Sequence, residues 1–342
     1  MKTALIVAPG RGSYDRAALG QLQGRATELL DACDAWRTAN GRPTVRELDA
    51  ADAYRSSLHV AGEHASLLTF ACSMADLGDL SDTYDVVGVV GNSMGFYTAL
   101  AASGALPLED AIRLVDTMGA YQTRNVIGGQ VLYPMCGSDW RTTPELRAVV
   151  EDALAAVAAR GHVAEWSIEL GGYAVLGADR DGTKALLELL PPVERGSRTF
   201  PVQLPLHSAF HTSLMRDTSA RAFGELGELG FRAPSVPLID GRGMVFRPRW
   251  ADPSALRDYT LGHQVTAPFD FTRAVKTALE HTGADVVVAL GPGNGLGGPL
   301  ARTIVECHWR GIVDRAGFEA AQASTDPVLL AFGIPEQRAL LT

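Results

Sequence analysis

The sequence contains few cysteines and no long apolar run. Its four cysteines are scattered without a C-x-x-C pair, a pattern that excludes a disulfide framework and a zinc site. No window approaches the roughly 20 apolar residues that span a bilayer. The apolar stretch near the start has about six residues before Pro9 and Gly10, too few for a signal peptide. We therefore expect a cytoplasmic protein that does not contact a membrane.

The chain also lacks an excess of positive charge. Its formal net charge is −9 and its pI about 5.4, whereas general nucleic-acid binding requires a basic surface. The composition, 46% hydrophobic and 20% charged over 342 residues, is typical of a globular protein with a sizeable core. We expect no nucleic-acid partner, and one large domain or one domain with an insertion.

Short buried strands alternate with helices along most of the chain. Val/Ile/Leu/Ala-rich runs without polar alternation, which are typical of strands covered on both faces, occupy 3–8, 85–90, 236–239 and 285–290. Helical patterns occupy 16–38, 58–78, 95–103, 108–122, 213–229 and 268–282. This alternation predicts a large α/β-hydrolase-like domain with a mostly parallel sheet. The tail after about residue 318 has no clear pattern.

The segment 127–204 follows a different order of elements. A strand in "GGQVLYPMCG", a helix capped by Thr143, two strands joined by Gly171-Gly172, a second helix and a last strand give the order β-α-β-β-α-β. This is the split βαβ, or ferredoxin-like, pattern. We predict an inserted ferredoxin-like subdomain over 127–204, with 1–126 and 205–342 forming the large catalytic domain.

The segment Gly91-Asn92-Ser93-Met94-Gly95 fits G-x-S-x-G between a predicted strand and a predicted helix. That context is the one a nucleophile elbow requires, because glycines fit beside a serine on a sharp strand-to-helix turn. The helix N-terminus would face the developing oxyanion, and the backbone N–H of Met94 would be one donor. The alternative is an ordinary surface turn of glycine and serine.

A serine nucleophile needs a base, and "LPLHSAFHTSLM" supplies two histidines between a predicted strand and a predicted helix. Loops at the carboxyl ends of strands carry the chemistry of many α/β proteins. His207 and His211 both lie in this loop, and their spacing does not choose between them.

Four ordered motifs resemble the malonyl-CoA:acyl-carrier-protein transacylase family, which includes the acyltransferase domains of polyketide synthases. They are "APGRGSY" (8–14), "GNSMG" (91–95), "SAFHTSLM" (208–215) and "ALGPGNGLGGPL" (289–300). "PLEDAIRLVDTMGAYQ" (107–122) also aligns without gaps. The resemblance covers about residues 3–310 and selects His211 over His207 as the base.

The resemblance implies ping-pong acyl transfer through an acyl-serine. Ser93 would attack an acyl-CoA or carrier-protein thioester with His211 as base, and the backbone N–H groups of Arg11 and Met94 would hold the oxyanion. A carrier-protein thiol would then accept the acyl group, with no metal or other cofactor. The histidine of the family is oriented by a carbonyl in a loop that matches "TAPFDF", where Asp270 stands. Asp270 is expected to orient His211 or, alternatively, to cap the following helix.

Several recognition residues depart from the family pattern. Met118 stands where malonyl-selective members carry an arginine that pairs with the substrate carboxylate. We therefore expect a neutral acyl group, or a carboxylate bound by another cation such as Arg11 or Arg124. His64 stands where a glutamine faces the site, and Asn92 replaces the histidine before the nucleophile. Both are expected to line the acyl pocket.

Three other interpretations follow from the same residues. A carrier-protein thioester hydrolase would use Ser93 and His211 with water as acceptor. A degenerate carrier-binding module would leave Ser93 inert. Gly293, Gly295 and Gly298 form a G-x-G-x-x-G, but no complete βαβ unit or acidic ribose ligand follows them, so nucleotide binding is disfavoured.

Overall fold

The computed structural model describes residues 1–124, 126–196 and 198–342, with the side chains of residues 122–124 excepted. Its strands are β1 (Lys2–Ala8), β2 (Tyr84–Gly91), β3 (Gly129–Pro134), β4 (Ala164–Glu169), β5 (Tyr173–Ala178), β6 (Val193–Arg195), β7 (Arg198–Phe200), β8 (Val202–Gln203), β9 (Leu238–Ile239), β10 (Val245–Phe246), β11 (Phe269–Asp270), β12 (Val286–Ala289) and β13 (Leu329–Ala331).

The α-helices alternate with these strands, and a π-helical turn joins the tenth to the eleventh. They are α1 (Thr27–Ala39), α2 (Val45–Asp49), α3 (Ser56–His59), α4 (Gly62–Gly78), α5 (Gly95–Ala102), α6 (Leu108–Arg124), α7 (Pro144–Ala159), α8 (Arg180–Leu189), α9 (Arg216–Leu226), α10 (Pro253–Asp258), α11 (Gln264–Thr266), α12 (Phe271–Thr282), α13 (Gly297–Glu306), α14 (Arg315–Gln322) and α15 (Pro335–Leu341).

The larger sheet has the strand order β10-β9-β2-β1-β12-β13. Its strands pair in parallel except for β10, which runs antiparallel to β9. β1, at its centre, is buried from Ala4 to Ala8, as expected for an apolar strand with helices on both faces. Because β1 and β2 are parallel neighbours, the loops that follow Ala8 and Gly91 leave the sheet side by side.

The second sheet has the order β11-β4-β5-β3-β8. The four strands β3, β4, β5 and β8, with α7 and α8 between them, have the predicted β-α-β-β-α-β order. Thr143 caps α7 through a bond to the N–H of Leu146, and Pro144 occupies its first turn. A separate buried cluster that includes Val131, Val157 and Leu186 packs beneath this sheet. The predicted fold class is confirmed, while the exact domain boundaries stay a prediction.

The tail that the sequence patterns left unassigned completes the larger sheet. β13 pairs with β12 at the sheet edge, and α15 packs against it. These two short elements, which have no strong periodicity, are thus ordered by contact with the core. Cys72 and Cys136 are buried free thiols. Among the described residues, no helix is long and apolar enough to cross a membrane.

Candidate active site

Ser93 occupies a sharp turn between β2 and α5. Its φ is +54°, in the left-handed region that L-residues rarely adopt. A Cβ on Gly91 would lie 2.0 Å from the carbonyl oxygen of Gly95, and one on Gly95 would lie 2.3 Å from that of Ala8. Positions 91 and 95 must therefore both be glycine for the turn to close against β1. This is the local geometry of a nucleophile elbow.

The loop after β1 passes directly over this turn. A Cβ on Gly10 would come within 2.9 Å of the carbonyl oxygen of Asn92 and 3.7 Å of Ser93 Cβ. The backbone N–H of Asn92 donates to the Ala8 carbonyl at 3.0 Å. Arg11 and Met94, the expected oxyanion donors, lie on the two converging loops and line the same cavity as Ser93.

His211 lies against the serine. Its Nε2 is 2.7 Å from Ser93 Oγ, and its Nδ1 forms a hydrogen bond with the carbonyl oxygen of Gln264. A carbonyl accepts only, so Nδ1 carries the proton and Nε2 accepts from the serine hydroxyl. Burial lowers the pKa of His211 to about 4, although the Gln264 carbonyl raises it in part. The imidazole is therefore neutral at pH 7 and is able to accept a proton.

Gln264 connects the two residues and was not identified from the sequence. Its Nε2 donates to the Ser93 carbonyl at 2.9 Å, and its backbone carbonyl orients His211. Of the two roles expected of Asp270, orientation of His211 is wrong and capping of the following helix is confirmed, because its carboxylate accepts from the N–H of Arg273 at 2.7 Å and caps α12. The carbonyl that orients His211 belongs to Gln264, in the short helix α11. It lies six residues before Asp270, the position that the family resemblance suggested.

A cavity of about 380 Å³ opens beside Ser93. Met118 on α6 lies in its wall and is only 2% exposed. Ile168 and Val175 from the second sheet add further apolar surface. The position where malonyl-selective relatives place an arginine is thus occupied by a thioether. Arg124, at the end of the same helix, is the second cation that we expected to bind a carboxylate, and its side chain lies outside the described residues.

His64 does not line this cavity, which corrects its expected place in the acyl pocket. Its Nδ1 accepts from Arg37 Nη2 at 2.8 Å. Arg37 is itself fully buried and paired with Asp116 at 2.7 Å. A buried cation is stabilised when its N–H groups have hydrogen-bond acceptors. The bond to Arg37 therefore holds the His64 imidazole away from the cavity. Ser66, one helical half-turn further along α4, lines the cavity instead.

Arg11 does line the cavity, and so do Asn92 and His207. Arg11 Nη2 donates to the Leu206 carbonyl at 2.7 Å, while Nη1 is buried and has no hydrogen-bond partner in the part of the chain that the structure describes. Burial lowers the pKa of Arg11 to about 9, which leaves it cationic at pH 7. Burial, and then the nearby Arg11, lower the pKa of His207 to about 3, so that imidazole is neutral. Asn92 Oδ1 is likewise buried and unpaired.

Gln130 and Ser167 support the histidine from the second sheet, and sequence reasoning missed both. Gln130 Nε2 donates to Ser167 Oγ at 2.7 Å, and Ser167 donates to the Phe210 carbonyl at 2.8 Å. These two bonds fix the backbone of Phe210, the residue before His211. The φ of His211 itself is +62°. Neither lies in a recognisable motif; only their position on inward-facing strand faces would have indicated them.

The site and fold define an α/β protein with an elbow serine, a buried histidine and an inserted ferredoxin-like sheet. No protein-family model matches the chain. It is 26% identical over 226 residues to the malonyl CoA-acyl carrier protein transacylase of Salmonella typhimurium, with 64% of this chain and 66% of that protein matched. The chain thus spans somewhat less than two thirds of the length of that relative.

Solved structures extend the likeness over the whole fold. A malonyl-CoA:acyl carrier protein transacylase from Xanthomonas oryzae pv. oryzae superimposes with a TM-score of 0.74 at 22% identity, over 100% of this chain and 98% of that one. A malonyl-transacylase solved with its type II polyketide synthase acyl-carrier protein gives 0.74 at 18% identity, over 100% and 99%. The resemblance to malonyl-CoA:acyl-carrier-protein transacylases is confirmed.

Proposed function

We propose that this protein is an acyltransferase that moves an acyl group from a CoA or carrier-protein thioester, through acyl-Ser93, to the phosphopantetheine thiol of an acyl carrier protein. The observation that carries the proposal is the 2.7 Å contact between Ser93 Oγ and a neutral His211 Nε2 at a glycine-flanked elbow. The curated relative, a malonyl CoA-acyl carrier protein transacylase, supports it.

In the first half-reaction Ser93 Oγ attacks the thioester carbonyl carbon while His211 Nε2 takes the hydroxyl proton. The backbone N–H groups of Arg11 and Met94 stabilise the tetrahedral oxyanion. Collapse breaks the carbon–sulfur bond, and the departing thiolate takes the proton from His211. The Gln264 carbonyl holds Nδ1–H throughout, so Nε2 stays directed at the reacting atoms.

In the second half-reaction the acceptor thiol gives its proton to His211 and attacks acyl-Ser93. The new carbon–sulfur bond forms, the ester bond to Ser93 breaks, and the serine oxygen recovers the proton. The reaction uses thioesters as substrates and needs no metal or cofactor. Arg198, which is exposed and lines the cavity, is placed to meet the acidic surface or the phosphate of a carrier protein.

A thioester hydrolase is the second candidate, because it would use the same Ser93–His211 pair. The methionine at position 118, where the resemblance implies an arginine, fits a hydrolase as well as a transferase. The two candidates differ in the lifetime of acyl-Ser93. A transferase keeps the ester until a carrier thiol arrives, whereas a hydrolase releases the free acid to water. Quenched-flow mass spectrometry after a single acylation, with and without holo carrier protein, separates them.

Intact-mass measurement after incubation with malonyl-, acetyl- and longer acyl-CoA tests the proposal itself. We expect one acyl adduct, mapped to Ser93 by peptide sequencing. Ser93→Ala should show none, while the matched control Ser254→Ala, at an exposed serine, should load like the wild type. An adduct on any other residue, or loading that survives in S93A, would contradict the proposed function.

A further inference from the structure

Arg11 is a cation in the cavity wall, and no described residue gives it an anionic partner. Of the described residues that line the cavity, two are arginines, Arg11 and Arg198, and none is an aspartate or glutamate. Arg11 Nη2 is occupied by the Leu206 carbonyl, while Nη1 is buried with no partner. Leaving a buried guanidinium donor unpaired is costly. A ligand that brings an anion would satisfy it.

The position of Arg11 relative to the nucleophile limits where that anion lies. Gly10, its neighbour, packs against Ser93 and Asn92, so Arg11 is anchored one residue from the acylation point. Met118 in the lining of the same cavity is apolar, and His207, beside Arg11, is kept neutral. Arg11 is therefore the cation that the described wall offers close to an acyl group on Ser93.

We infer that Arg11 binds a free carboxylate carried by the acyl group, and so takes the role that the resemblance gives to a helix arginine at the position of Met118. The acyl class is then a malonyl-type half-thioester of a dicarboxylic acid and not a neutral acyl chain. A guanidinium fork recognises carboxylate in two-point geometry. This inference rests on the proposed acyl transfer, because it names the acyl group that the site accepts.

The phosphates of coenzyme A are a second source of negative charge for the same guanidinium. They lie many bonds from the thioester, however, and Arg11 lies beside Ser93. Arg198 also lines the cavity but is exposed, and an exposed cation suits a phosphate that stays in contact with solvent. The acyl carboxylate is thus the anion that Arg11 meets.

Two substrate pairs separate these sources. Malonyl and acetoacetyl groups have nearly the same shape, but only malonyl carries a carboxylate. Each is offered as the CoA thioester and as the N-acetylcysteamine thioester, which has no phosphate. The rate of acyl-Ser93 formation is measured for all four with the wild type, Arg11→Gln and Arg11→Lys. Arg11→Gln removes the charge, whereas Arg11→Lys keeps it.

We expect the wild type to load malonyl faster than acetoacetyl by at least about tenfold, with both carriers. Arg11→Gln should reduce that ratio by about tenfold or more, and Arg11→Lys should restore part of it because it restores the charge. A variant that only damages the oxyanion loop would slow both acyl groups together and leave the ratio unchanged. Circular dichroism and thermal unfolding verify that each variant is folded.

Three results would overturn the inference. One is a wild type that loads acetoacetyl as fast as malonyl; another is a ratio that Arg11→Gln does not change. The third is an Arg11→Gln defect seen with both CoA thioesters and absent from both N-acetylcysteamine thioesters, which would assign Arg11 to phosphate. If all four thioesters, and acetyl- and longer acyl-CoA as well, failed to acylate Ser93, the proposed function would be contradicted too, so the two failures are distinguishable.

Discussion

The carbonyl oxygen of Gln264 accepts a hydrogen bond from His211 Nδ1, although the two residues are 53 positions apart in the chain. The side chain of the same glutamine donates to the Ser93 carbonyl at 2.9 Å. One residue therefore fixes both the tautomer of the histidine and the backbone of the elbow.

Replacing Gln264 by alanine keeps the carbonyl and removes the bond to Ser93. We expect a loss of about 1 kcal/mol in the free energy of unfolding and slower acylation, because the left-handed Ser93 backbone loses a restraint. Chemical denaturation and the rate of acyl-Ser93 formation measure the two effects. Gln264→Glu, which keeps the size but loses the donor, is the matched variant. Wild-type acylation by both would show that the side chain does not position the elbow.

Asp270 should affect stability and leave the base unchanged. Asp270→Ala removes the cap of α12 and is expected to cost about 1 kcal/mol of unfolding free energy, whereas the pH profile of acylation should not move. Asp270→Asn, which retains capping ability, should recover most of the stability. If the apparent pKa of the pH profile shifted in both variants, the result would show that Asp270 acts on His211 and would contradict a role in capping alone.

The pH dependence of acylation follows from the depressed pKa of His211, about 4. A base acts in its neutral form, which predominates above its pKa, so the activity is retained above that value and lost as pH falls through it. We expect kcat/KM for acylation to be flat from pH 8 to about 5 and to fall toward pH 4. A rapid pH jump, in which enzyme from a neutral stock is mixed into the assay buffer, keeps the exposure of the protein to acid short. A midpoint near 6.5, the ordinary value for histidine, would contradict the buried neutral base.

Gly91 and Gly78 form a contrasting pair. A Cβ on Gly91 meets backbone at 2.0 Å, while nothing lies within 4 Å of one on Gly78, at the end of α4. Gly91→Ala should lower the free energy of unfolding by at least about 2 kcal/mol. It should also abolish acylation of Ser93, since the turn cannot close. Gly78→Ala should be neutral or more stable by about 0.5–1 kcal/mol. Thermal melts of both, with acylation assays, test this; a native-like Gly91→Ala would show that the turn tolerates a side chain.

Much of the fold was predictable because its central elements have strong local patterns. β1 and β2 are uninterrupted apolar runs, and α7 has both a threonine cap and a proline in its first turn. β13 and α15 were not predictable, since a three-residue strand and a seven-residue helix have too little periodicity of their own. Contact with β12 and the sheet edge, not local preference, orders them.

The site divides in the same way. The sequence by itself determined the elbow, because the glycines at 91 and 95 and the serine between them are required by steric contacts within one short turn. It also placed a histidine in the loop opposite. Only the tertiary structure decided which group orients that histidine and that His64 contacts the buried Arg37–Asp116 pair. It also decided that Arg11 lines the cavity with one guanidinium nitrogen, Nη1, unpaired among the described residues. These are contacts between segments far apart in the chain, and no local pattern encodes which partner a buried polar group finds.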